Sequence, residues 1–139
     1  MDAEALKKTG LDHFKADRFA DAASAFDQAA LAFEAAGRPA DAAEMRNNLC
    51  VVKMSQDDWP GALAAVEGTE AVFAAAGDSR REAQAIANRA ACFEGLGRVE
   101  DALQTYQRAI DLLGDIGEHE TRSACYKRIS GQSWQCSNQ

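Results

Sequence analysis

The chain has 139 residues, the size of one domain, and 47% of them are hydrophobic, enough apolar surface for a core. Its formal charge of -7 and pI of about 4.8 set the bulk field against phosphate backbones and anionic lipid, so neither nucleic acid nor a membrane is an expected partner. No apolar run approaches the roughly 20 residues of a membrane helix, and Cys50, Cys92, Cys125 and Cys136 show neither CxxC spacing nor disulfide density; a soluble cytoplasmic protein with reduced thiols and no signal peptide is expected.

Only 2 prolines and an abundance of Ala, Leu, Glu, Gln and Arg make all-α the expected fold class. The first helix, 3–16, carries Leu6, Gly10 and Phe14 on one face and breaks at Asp17. Its partner, 19–36, carries Phe19, Ala22, Phe26 and Ala29. Gly37 then suits a left-handed C-cap, and Pro39 suits the first turn of a helix over 39–56. A helix over 59–76, with Trp59, Ala62, Val66 and Thr69, ends at Gly77. Ser79 with Glu82 forms a capping-box pattern that opens 79–96, where Ile86, Ala90 and Phe93 share a face. Past Gly97, Val99, Ala102, Tyr106 and Ala109 line a helix over 99–116. A seventh helix, 119–130, has the mixed polarity of a cap over an exposed apolar end.

Connections of a few residues make the two members of each pair antiparallel neighbours. The pairs repeat every forty residues: Gly37, Gly77 and Gly117 share this interval, as do Ala22, Ala62 and Ala102, and Asp17, Asp57 and Gly97. The expected organisation is an antiparallel helix-pair solenoid of three repeats plus a C-terminal capping helix. The repeat domain covers 1–131, with units near 3–37, 38–77 and 78–117 and the cap over 118–131. The stretch 132–139 reads as a flexible tail in which Trp134 alone has packing potential.

The segment from Asn88 to Ala109, NRAACFEGLGRVEDALQTYQRA, resembles the tetratricopeptide repeat, with Ala90, Phe93, Gly97, Ala102, Tyr106 and Ala109 in the pattern's places. The first unit matches through Gly10, Phe19, Ala22, Phe26 and Ala29, while the second departs more, with Cys50, Asp57, Trp59 and Val66. A forty-residue period is similar to the longer repeats of kinesin light chain and of partner-of-inscuteable type adaptors. The resemblance implies a right-handed superhelix whose first helices line a concave groove for extended peptides.

The same step places Lys8, Asn48, Asn88 and Arg128 at one equivalent position of the first helices, which in the resembled family faces the groove. Asparagine both donates to C=O and accepts from N–H, and Lys or Arg pairs with carboxylate, so this ladder suits an extended, acidic peptide. Solvation, or hydrogen bonding between neighbouring helices, is the other reading of the same residues. Leu11, Val51 and Ala91, with Phe14 and Met54, form either an apolar floor for the peptide or ordinary core. Lys7, Asn47 and Lys127 flank the ladder and are expected as solvated surface residues.

Acidic residues of the second helices, Glu70 among them, are expected on a solvated convex face. His13 and His119 lie at opposite ends of the repeat order, and no phosphate loop or metal-ligand spacing occurs, so no enzyme, no catalytic or metal site and no cofactor is expected. The expected function is a protein–protein interaction module, monomeric or weakly dimeric, that binds another protein or peptide. The alternative is a self-associating structural or regulatory subunit that uses a convex or end surface.

Overall fold

The computed structural model describes residues 1–116, which form seven helices and no strand. They are α1 (Ala3–Lys15), α2 (Phe19–Ala35), α3 (Pro39–Ser55), α4 (Trp59–Val66), α5 (Thr69–Ala75), α6 (Ser79–Gly95) and α7 (Val99–Ile116). The helix expected over 119–130, the tail, Gly117, Cys125, Arg128 and Cys136 lie outside the described residues.

Turn chemistry sets the helix ends. Asp17, Asp57 and Gly97, spaced by the repeat, all take left-handed backbone, with φ of 59°, 56° and 78°. Gly37 and Gly77 do the same at 72° and 73°. Each turn lets the chain reverse so that the next helix packs antiparallel on the last. Pro39 opens α3 as expected, at the position where a missing N–H costs nothing. The cap of α6 is Asp78 rather than Ser79: the Asp78 carboxylate accepts from the Arg81 amide at 3.1 Å, and Ser79 is already the first helical residue. An aspartate one residue earlier therefore takes the role assigned to serine. Asp2 and Asp58 cap α1 and α4 in the same way.

The stretch expected as one helix over 59–76 is broken at Glu67 and Gly68. Gly68 adopts φ 82°, a conformation that costs an L side chain about 1–2 kcal/mol. The break frees the Val66 carbonyl, which accepts from the buried Thr69 hydroxyl at 2.7 Å. Thr69 Oγ1 also stands 3.2 Å from Asn47 Oδ1 of α3. Asn47 is therefore not a solvated flank of the ladder: it is 7% exposed and tied to the start of α5.

Packing proceeds from each helix to the next, α1 on α2, α2 on α3, α3 on α4, α5 on α6 and α6 on α7, so the core is a row of layers along a helix-pair solenoid. The first layer holds Phe26, Phe33, Met45 and Val52, the second Cys50, Val66, Phe73 and Cys92, and the third Ile86, Ile110 and Leu113. Ala22, Ala62 and Ala102 are each 0% exposed, which lets paired helices approach closely.

One size rule runs through the pairs. Phe26, Val66 and Tyr106 share the repeat register, and they share core clusters or contacts with Gly10, Cys50 and Ala90, respectively. A large ring is thus matched by Gly or Ala, and the smaller Val66 by the larger Cys50. Volume is conserved across the contact although its residues change, as close packing demands.

Candidate functional site

The first members of the pairs, α1, α3 and α6, carry most of the side chains that line two hollows. A small one, of about 130 Å³, is lined by Leu11, Phe14, Phe26, Asn48, Val51 and Val52. A larger cleft, of about 530 Å³, runs between α3 and α6 and is lined by Val51, Met54, Ser55, Ala91, Glu94 and Gly95, with Trp59 of α4. Val51 belongs to both. Of the apolar residues read as a floor or as core, Leu11 is 37% exposed, Phe14, Val51 and Met54 are half-buried, and Ala91 is buried.

Of the residues singled out from the sequence, Leu11, Asn48 and Val51 meet at the small hollow. Asn88 is half-buried at the equivalent place on α6. Lys8 is exposed and is held by Asp12 of its own helix, Nζ to Oδ2 at 3.0 Å. That hydrogen bond, reinforced by the ammonium charge, keeps the Asp12 carboxyl below its ordinary range. Arg128 lies outside the described residues.

Trp59, Glu94 and Gly95 were not singled out, yet they form one wall of the larger cleft. The Trp59 ring lies against the Gly95 backbone so closely that any Cβ there would collide with it. The repeat register of Trp59 with Phe19 and Val99 marked it as core. Its partner glycine lies nine-tenths of a repeat further along the chain, so the repeat register does not point to the contact. Glu94 accepts from the Tyr106 hydroxyl at 2.9 Å, which places a carboxylate at the cleft edge and satisfies a buried phenol.

Charge is divided between the two sets of helices. The first helices α1, α3 and α6 hold eight Lys and Arg against six Asp and Glu. The second helices α2, α4, α5 and α7 hold one against eight. Part of the positive charge is already engaged: Glu44 of α3 pairs with Lys7 of α1 and Arg81 of α6, both at 3.5 Å, so one carboxylate links all three first helices. Glu70 is not a solvated convex residue, since it is half-buried and receives Arg89 of α6 at 2.5 Å and Arg108 of α7 at 2.9 Å.

Among the described residues no three of His, Cys, Asp and Glu converge as a metal site, and no helix is long and apolar enough to cross a membrane. His13 accepts from Arg18 Nε through Nδ1 at 3.0 Å, a contact that closes the turn after α1.

Cys50 and Cys92, expected as reduced thiols, are free, and their sulfurs meet at 3.6 Å in the layer between α3 and α6. Cys50 follows α3 inward at the place of Gly10, and Cys92 reaches it from two residues past the equivalent place on α6. The rotation of one pair against the next brings these unequal positions together.

Residues 41–115, more than half of the chain, match the family model described as tetratricopeptide repeat. No curated protein matches the chain.

Proposed function

The chain belongs to the tetratricopeptide repeat family, whose repeats serve as protein–protein interaction modules, and we propose that it holds an extended, acidic peptide segment of a partner along α1, α3 and α6. The observation that carries this reading is the pair of hollows that share Val51, one lined by Leu11 and Asn48 and the other by Met54 and Ala91. Apolar side chains of the peptide fill the hollows, while Asn48 and Asn88 exchange hydrogen bonds with its main chain. The charge division supports the acidic preference, because α1, α3 and α6 carry net +2 in a chain of net -7.

Neighbouring helices pack about 8 to 10 Å apart, so three steps of the repeat register span roughly 25 to 30 Å. At about 3.3 to 3.6 Å per residue, the footprint is roughly eight peptide residues. Lys8, and by the repeat register alone Arg128, are assigned as partners for carboxylates at the two ends of the peptide. An incoming carboxylate competes with Asp12 for Lys8, which makes this contact weak and dependent on salt.

The test is titration of an acidic peptide library against the wild type and the double variant Asn48→Ala, Asn88→Ala. Binding is expected to weaken by about 1 to 3 kcal/mol with unchanged helicity, because main-chain groups of the bound peptide lose their partners. Equal affinity for both proteins refutes the assignment of the groove. Loss of binding only on changes to α2 or α7 favours a partner on the opposite surface.

A further inference from the structure

We propose that Cys50 and Cys92 form a redox modification site, a buried dithiol that closes to a disulfide and staples the second repeat to the third. Three observations on geometry carry it. The sulfurs lie 3.6 Å apart, and both side chains are 0% exposed. A disulfide requires about 2.05 Å, so the two sulfurs have to close by roughly 1.5 Å. The residues share one apolar cluster with Ala43, Ala62, Val66, Phe73 and Ala85, where no cation or metal-ligating set offers the thiols another role.

Each sulfur also sits beside the cleft. Val51 follows Cys50 and Ala91 precedes Cys92, and both neighbours line the 530 Å³ hollow between α3 and α6. A bond between the sulfurs therefore fixes the two helices beneath the surface that carries the two hollows. In the closed fold the pair reacts slowly because both sulfurs are shut away from reagents; the hydrogen bond to Cys92 and then burial push the Cys50 thiol above its ordinary value, so Cys92 is the first of the two to ionise. Reaction proceeds through local opening of the cleft.

The oxidant is a low-molecular-weight disulfide of the glutathione type. One cysteine thiolate attacks it, forming a mixed disulfide and releasing one thiolate. The other cysteine then attacks the protein sulfur of that mixed disulfide and expels the second. One S–S bond breaks and one forms. The dithiol is oxidised by two electrons, the reagent is reduced to two thiols, and the two protein protons end on them.

The experiment uses the full chain with Cys125→Ser and Cys136→Ser, equilibrated in reduced and oxidised glutathione buffers, both folded and in denaturing guanidinium. Acid quench, alkylation and trypsin digestion then report the join between the fragments 47–53 and 90–98. The equilibrium constant for closing the disulfide is expected to be at least about tenfold larger in the folded chain, because the fold holds the thiols together. By linkage the oxidised chain then shows a higher denaturant midpoint than the reduced one. An equal or smaller constant in the folded state, or a lower midpoint on oxidation, overturns the proposal. The result is independent of peptide binding, so it stands or falls separately from the proposed function.

Discussion

Replacing Gly10 by alanine sets two effects of known sign against each other. A Cβ at this position would lie 2.7 Å, 2.8 Å and 3.0 Å from Cε1, Cδ1 and Cζ of Phe26. Phe26 is 2% exposed within the first core layer, so its ring has little room to withdraw. Overpacking of this kind costs about 1 to 3 kcal/mol. Against it, alanine in mid-helix gains about 0.5 to 1 kcal/mol over glycine. The net expectation is a loss of up to about 2.5 kcal/mol, and at about 2 to 4 °C per kcal/mol the melting temperature falls by a few degrees.

A double-mutant cycle isolates the cause. Phe26→Val reproduces the residue at the equivalent place of the second repeat, Val66, which tolerates a cysteine opposite it. Alone it removes buried ring and leaves a cavity, at a cost of about 2 to 4 kcal/mol. In that background Gly10→Ala no longer meets the ring, so it should stabilise by the propensity term. The coupling between the two sites is then about 1 to 3 kcal/mol and favourable, measured by urea denaturation followed by circular dichroism. Stabilisation by Gly10→Ala in the wild-type chain, or additivity of the two changes, would refute the complementarity argument.

Two further outcomes follow from backbone and charge. Gly68→Ala forces an L side chain to φ 82° at the junction of α4 and α5, and should cost about 1 to 2 kcal/mol in the same assay. Asp12 should titrate below the ordinary carboxylate value when followed by NMR, and Lys8→Ala should return it toward that value. Because its pKa is depressed in the folded chain, the contribution of this pair is present above the unfolded carboxylate pKa and is lost as pH falls through the folded one.

Periodicity and turn chemistry carried most of the fold. Gly37 and Gly77 sit where a helix end favours left-handed backbone, and they adopt it; Asp17 and Asp57 reach the same conformation at the place of Gly97. These features depend on contacts within a few residues, so the chain encodes them locally. The same holds for Ala22, Ala62 and Ala102, whose burial follows from one helix face and one short connection. The candidate groove was legible to the extent that it copies the repeat, as Leu11, Val51 and Ala91 do.

Contacts that cross repeats were not legible in this way. The register names the position of Cys50 but not the angle at which α6 crosses α3, and that angle decides that Cys92, rather than Cys50's own counterpart Ala90, meets it. The chain from Lys7 through Glu44 to Arg81 and the approach of Trp59 to Gly95 have the same origin. Gly68 was visible in the sequence, but alanine-rich flanks on both sides favoured an unbroken helix. The break becomes stable because the Thr69 hydroxyl satisfies the freed Val66 carbonyl and is itself held against Asn47 of the adjacent α3. Local chemistry thus determined the helices, their ends and their buried faces, since each is set by neighbours along the chain. The rotation between successive pairs was left to tertiary structure, because it is the joint solution for all the side-chain volumes at an interface, and no single segment contains them.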